Sequence, residues 1–230
     1  MTRITHCIFD MDGLLLDTER VYTEVTQQIL DKYANGVKFT WDVKSKLMGK
    51  TGDESAAMVV KTYNLPMTTE EYLKITSIIQ EDLFPHAKVL PGVERLIRHL
   101  HAHKIPMAVA TSSTRSKFEL KTSLNKELFE MFDVIICGDD AEIKNGKPAP
   151  DLFLAAQRRL GNPPAENCLV FEDAINGVQA AINAKMNVVW IPDENIRKLA
   201  DDEHGATIVL DSMEDFIPEL FFLPAFEVKI

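Results

Sequence analysis

Five short apolar runs, each stopped by polar residues, constrain this chain more than any other feature: Ile4 to Phe9, Ile105 to Ala110, Val134 to Cys137, Cys168 to Phe171 and Val188 to Ile191. Runs of this length, rich in β-branched and aromatic residues, predict buried strands. After Pro91 the intervening segments carry helical spacing. Val93, Leu96, Ile97 and Leu100 follow Gly92, further helical residues run up to Met131, Phe153, Ala156 and Leu160 follow Pro150, and Ile175, Val178 and Ile182 come next. Strands alternating with helices predict right-handed crossovers and a Rossmann-like parallel sheet covered on both faces, an α/β core. A length of 230 residues with 46% hydrophobic content can bury such a core and an accessory domain as well.

The first run is separated from the others by a stretch with no strand signal. From Asp17 to about Pro85 the stripes are helical: Val21, Val25 and Ile29, then Ala56, Val59, Val60 and Tyr63, then Tyr72, Ile75 and Ile79. This predicts a helical cap domain over residues 17–87, inserted into a core built from residues 1–16 and 88–230. The two crossings, near Leu14 to Thr18 and Phe84 to Pro91, are where a hinge is expected to open and close the insert over the strand ends. The aromatic tail from Asp215 onward, with Phe216, Phe221, Phe222 and Phe226, is expected to pack on the core.

Composition removes several classes of function. A formal net charge of −10 argues against a nucleic-acid polymer as partner, because phosphate backbones are held by clustered Lys and Arg. No apolar run approaches the roughly 20 residues that span a bilayer, and the opening MTRITHC lacks a signal-peptide pattern, so no membrane association is expected and the cytoplasm is the expected compartment. Cys7, Cys137 and Cys168 lie in apolar runs without ligand spacing and read as core residues. No protein partner is implied, and a monomer is expected.

In an open parallel sheet, ligands bind outside the carboxyl ends of the strands. The polar groups that follow the runs are Asp10-Met11-Asp12-Gly13, Thr111-Ser112-Ser113, Lys147-Pro148 and Glu172-Asp173. Each has a plain alternative: a turn after a strand, a helix cap, a favourable contact with a helix dipole. Capping does not require all of them to converge on one sheet edge.

In this order the four clusters resemble the motifs of the haloacid dehalogenase superfamily: a DxD, a Ser or Thr, a Lys and an acidic pair. The resemblance spans the chain and implies a phosphatase acting on a small phosphorylated metabolite. It makes Asp10 the nucleophile that forms an aspartyl phosphate, and Asp12 the acid and base for leaving group and water. Thr111, Ser112, Ser113 and Lys147 hold the phosphoryl oxygens, the lysine also bracing Asp10. Asp10, Glu172 and Asp173 would repel one another without a hard cation, and oxygen-only ligands favour Mg2+ over zinc. By resemblance the ligands are the Asp10 and Asp173 carboxylates and the Asp12 backbone carbonyl, with Glu172 either bound directly or standing behind them. Gly13 permits the sharp turn after the DxD.

Within the superfamily the runs DMDGLLLDTE, WDVKSKLMGK, VATSS, GKPAPDLFLAA and CLVFEDAINGVQAA are similar to the pseudouridine-5′-phosphatase branch. This implies pseudouridine 5′-monophosphate, or a related nucleotide or sugar phosphate, as substrate. Met48-Gly49-Lys50 reads either as a substrate-contacting loop, through Gly49 and Lys50, or as an ordinary interhelical turn. Two other readings stay open. A β-phosphoglucomutase-like phosphomutase shares the core motifs and Thr18, though Tyr22 stands where that mutase carries a histidine. The other is a non-catalytic binding protein on the same fold. His99, His101 and His103 read as a solvated helix end.

Overall fold

A computed structural model of the chain describes residues 3–47, 52–199 and 204–227. In chain order the elements are β1 (His6–Phe9), α1 (Thr18–Tyr33), α2 (Trp41–Leu47), α3 (Gly52–Thr62), α4 (Thr69–Leu83), α5 (Val93–Ala102), β2 (Met107–Ala110), α6 (Arg115–Thr122) and α7 (Lys126–Phe129). They continue with β3 (Val134–Ile136), α8 (Asp151–Arg159), β4 (Cys168–Glu172), α9 (Ile175–Asn183), β5 (Asn187–Trp190), α10 (Glu194–Leu199) and β6 (Ile208–Val209). Two compact units result, Met1–Asp17 with Lys88–Ile230, and Thr18–Ala87.

The first unit is built on a six-stranded sheet in the order β3-β2-β1-β4-β5-β6. All its pairings are parallel. Buried on both faces, its central strands carry side chains of both orientations that are apolar, which is why they read as unbroken runs rather than alternating ones. Ile8, Ala108, Ala110, Cys168, Val170, Val188 and Trp190 pack with Leu152, Phe153, Ala155 and Ala156 of α8 and Val178, Ala180 and Ala181 of α9. The neighbouring positions point the other way. There Phe9 stacks on Phe171 at 4.5 Å, Phe132 meets Phe9 edge-on at 5.8 Å, and Phe216 meets Phe171 edge-on at 5.0 Å.

Register sets the site. Phe9 pairs with Val109 on one side and Phe171 on the other. Beyond those pairs, the Asp10 amide donates to the Phe171 carbonyl at 3.0 Å and the Thr111 amide to Ile136 at 3.0 Å. Asp10, Thr111 and Asp173 therefore leave the sheet along one edge.

The second unit is helical. Val21, Val25 and Ile29 of α1 are buried. Its Thr26 hydroxyl lies 3.5 Å from the Tyr72 hydroxyl of α4. The N-terminus of α4 is closed by a capping box, in which Glu71 N–H donates to the Thr68 hydroxyl and Thr68 N–H to the Glu71 carboxylate. Among the described residues no helix is long and apolar enough to cross a membrane.

Several expectations are corrected. Strands β1, β2 and β3 are shorter than their apolar runs, β4 extends one residue further to Glu172 and β5 starts one residue earlier at Asn187. At the start of the first run Ile4 N–H donates to the Phe221 carbonyl and Thr5 N–H to the Asn167 carbonyl, outside the ladder. Strand β6 has two residues, too few for a periodic signal. The histidines are not a uniformly solvated helix end. His99 is 9% exposed, its Nε2 lies 2.9 Å from the Pro224 carbonyl, and its ring packs on Phe226, over which Arg95 also sits at 4.1 Å. The tail supplies the wall that buries it. Phe216 and Phe221 are buried, whereas Phe222 turns outward at 61% exposure.

Gly92 ties α5 to this tail. Its φ is +80°, and a Cβ there would lie 2.5 Å from the Glu214 nitrogen and 2.7 Å from the Met213 carbonyl carbon. Both obstacles are backbone. Gly92→Ala is expected to destabilise the chain by on the order of 3 kcal/mol, from left-handed strain and overpacking together. In urea unfolding this lowers the midpoint at unchanged slope; an unaltered midpoint would show that the tail does not hold this position.

Candidate active site

At the sheet edge the strand ends deliver their polar residues to one place. Asp10, Glu172 and Asp173 are buried, and each offers a carboxylate oxygen within 4.8 Å of the others. Lys147, from the long segment between β3 and α8, reaches in among them. Its ammonium donates to Asp10 Oδ1 at 2.5 Å, Glu172 Oε1 at 2.6 Å and the Ala110 carbonyl at 3.1 Å, which uses all three of its protons.

Glu172 is fixed on both oxygens. While Oε1 takes Lys147, Oε2 accepts the amides of Asp173 at 3.1 Å and Ala174 at 3.2 Å. Behind it lies Gly177 of α9, where a Cβ would come within 1.8 Å of Oε1. Glu172 therefore ends β4 as an inward-facing, fully bonded carboxylate that braces the lysine. Trp190 of β5 steadies the next residue, its indole N–H donating to the Asp173 carbonyl at 2.8 Å.

A second ion pair stands beside the first. Asp12 opens the turn after β1, in which Gly13 N–H donates to the Leu16 carbonyl. Its Oδ1 accepts from the Lys121 ammonium at 2.5 Å. Its Oδ2 accepts from the hydroxyls of Ser113 at 2.9 Å and Thr111 at 3.3 Å. Thr111 is fully buried and its hydroxyl also accepts the Ser113 amide at 3.0 Å. The structure thus turns Thr111 and Ser113 toward Asp12, so they reach a phosphoryl oxygen only by giving up that bond. Ser112 is exposed. Gly49 and Lys50 lie outside the described residues.

Sequence reasoning missed Lys121. It sits on the buried stripe of α6 with Phe118 and Thr122, and a lysine three residues after a buried phenylalanine was the available signal. It also missed the bracing contacts of Gly177 and Trp190, since neither residue type announces a polar role.

The donor set fits a divalent cation. The trio is oxygen-only and buried. The ion-paired groups with Asp173 comprise four carboxylates against the ammonium groups of Lys121 and Lys147, a formal excess of two negative charges when every carboxylate is ionised. Burial pushes the Asp10 carboxyl up to about 7; the Lys147 charge opposes this, and Glu172 and Asp12 add to it. For Lys147 burial acts to lower the ammonium, but Asp10 and Glu172 outweigh it and hold it above its ordinary value. The lysine stays charged and the site retains excess negative charge that a cation would neutralise.

The Asp10 shift has a stability consequence. A carboxyl raised from 3.8 to about 7 in the folded chain favours folding below pH 4, and that contribution is lost as pH rises through 7. With a chelator present, the stability of wild type relative to Asp10→Asn is expected to fall between pH 4 and 7 and then level off. Parallel pH profiles for the two proteins would contradict a raised Asp10.

Comparison with known proteins places this geometry. The family model for haloacid dehalogenase-like hydrolases matches residues 7–191. A probable pseudouridine-5′-phosphatase of Drosophila melanogaster is 48% identical over 228 residues, covering 98% of this chain and 97% of that protein. (DL)-glycerol-3-phosphatase 2 of Arabidopsis thaliana is 45% identical over 228 residues, covering 97% of this chain and 93% of that protein. Among solved structures, CbbY of Rhodobacter sphaeroides in complex with xylulose-(1,5)bisphosphate superposes with a TM-score of 0.72 at 26% identity, covering 92% of this chain and 96% of that one. The chain belongs to the haloacid dehalogenase-like hydrolases and is a phosphatase of that family.

Proposed function

We propose that the chain hydrolyses a small phosphorylated metabolite, pseudouridine 5′-monophosphate or a related nucleotide or sugar phosphate, through an aspartyl phosphate on Asp10 with Mg2+ as cofactor. The observation that carries this reading is the buried trio of Asp10, Glu172 and Asp173 braced by Lys147 at one sheet edge. The names of the relatives support the substrate class.

In this reading the Asp10 carboxylate attacks phosphorus in line, the ester P–O bond breaks, and Asp12 gives a proton to the departing oxygen. Water then attacks the aspartyl phosphate, Asp12 takes its proton, and the bond from phosphorus to Asp10 breaks, releasing phosphate and restoring the carboxylate. Lys147, already charged, balances negative charge gathering on the phosphoryl oxygens, and Thr111, Ser112 and Ser113 supply hydroxyls at the same edge. Mg2+ would be held by the Asp10 and Asp173 carboxylates and the Asp12 backbone carbonyl, with Glu172 either bound directly or standing behind them, and would supply charge neutralisation. Choice of leaving group is assigned to the helical unit, including Gly49 and Lys50.

Two variants test the roles. Asp10→Asn is expected to abolish magnesium-dependent phosphate release while melting cooperatively, and turnover at the wild-type rate would remove the nucleophile assigned here. Release measured across nucleotide and sugar monophosphates, ranked by kcat/KM, is expected to place pseudouridine 5′-monophosphate first. An isomerised sugar phosphate in place of free phosphate would favour the phosphomutase reading. Asp12→Asn is expected to slow kcat by on the order of 10²–10⁴, the range of general acid–base catalysis. Rapid-quench measurements showing an undiminished chemical step would contradict its role.

A further inference from the structure

We propose that Lys121 is a positioning residue whose task is to hold the Asp12 carboxylate in its working orientation. The proposal rests on the acid–base role given above to Asp12. Lys121 is fully buried, and a buried ammonium loses its hydration unless close partners compensate it. Its partners are polar groups of the site. The ammonium donates to Asp12 Oδ1 at 2.5 Å and to Ser113 Oγ at 2.9 Å, and Ser113 Oγ in turn donates to Asp12 Oδ2 at 2.9 Å. These bonds close a ring through both oxygens of one carboxylate, which fixes the carboxylate's plane as well as its place. Thr111 adds a further donor to Oδ2.

The ring joins segments far apart in the chain, since Asp12 lies on the turn after β1 and Lys121 near the end of α6. Without it, a short side chain on a turn would choose among rotamers. The two lysines divide the work: Lys147 serves Asp10 and Glu172, and Lys121 serves Asp12. The Asp12 side chain is 22% exposed, whereas Lys121 is 0% exposed. Asp12 can meet a substrate and Lys121 cannot, so any catalytic effect of the lysine passes through the carboxylate.

The test is a double-mutant cycle on the full chain, with phosphate release from one substrate at saturating magnesium. Lys121→Met keeps most of the stem and removes the charge. It is expected to lower kcat by on the order of 10-fold to 100-fold, the scale of a misplaced catalytic group, with KM changed by less than about twofold. Added to Asp12→Asn it is expected to produce no further loss, because residues that act as a unit are not additive. A lysine that served only the fold would lower the Asp12→Asn enzyme by the same factor as the wild type.

Ordinary kcat in Lys121→Met, or losses that multiply, would overturn the proposal. If Lys121→Met does not fold by near-ultraviolet circular dichroism, Ser113→Ala runs the same cycle, since it opens the same ring. Failures at the two levels are distinct. An Asp12→Asn enzyme at full speed removes the acid–base role and this proposal with it, whereas a slow Asp12→Asn enzyme beside a fast Lys121→Met enzyme removes only the lysine's part.

Discussion

The ammonium of Lys147 is the interaction on which the site depends. It joins the ends of three neighbouring strands by bonding Asp10 after β1, Glu172 at the end of β4 and the Ala110 carbonyl at the end of β2. Two carboxylates buried side by side would otherwise repel one another across a region of low dielectric. The price of burial is met by geometry rather than by proximity alone. Every proton of the lysine has an acceptor, and both oxygens of Glu172 are bonded. Gly177 leaves the space that this arrangement needs, since any side chain there would occupy the position of the Glu172 carboxylate.

Sheet register makes that arrangement possible. Because Phe9 is aligned with Val109 and Phe171, residues from three separate segments leave the sheet at one level. A parallel sheet therefore works as a ruler for the site. The apolar packing that stabilises it, Phe9 on Phe171 and Phe216 against Phe171, also sets where the carboxylates stand. A core substitution that slid one strand would displace the Asp10 carboxylate before it unfolded the protein.

Legibility of the molecule in its sequence follows from this. Short apolar runs ended by polar residues are enough to expect strands, a parallel sheet and a carboxyl edge at which polar residues collect, but not the order of the strands. Features that depend on which buried group meets which were not legible. Lys121 in FELKT looks like any helix lysine, and only the fold shows it enclosed beside Asp12. The motif pattern assigns Thr111 and Ser113 to phosphoryl oxygens and says nothing of the bonds their hydroxyls make to Asp12. His99 reads as solvated in the sequence because the tail that covers it lies more than a hundred residues away. In each case a partner distant along the chain decides the environment, and periodicity carries no information about such partners.

The site's composition also explains why likeness of sequence does not by itself name a substrate. A phosphatase acts on phosphorus and on the oxygens around it, and those atoms are common to every phosphate monoester. Discrimination between esters has to come from contacts with the rest of the molecule, where a missing hydrogen-bond partner costs far more than a missing methylene. A relative named for pseudouridine 5′-phosphate and one named for glycerol 3-phosphate stand at 48% and 45% identity to this chain. So small a difference is what a shared phosphoryl-handling framework predicts, with selectivity resting on a few side chains whose replacement scarcely alters overall identity. Substrate preference has therefore to be sought in positions that the reaction itself leaves free to vary.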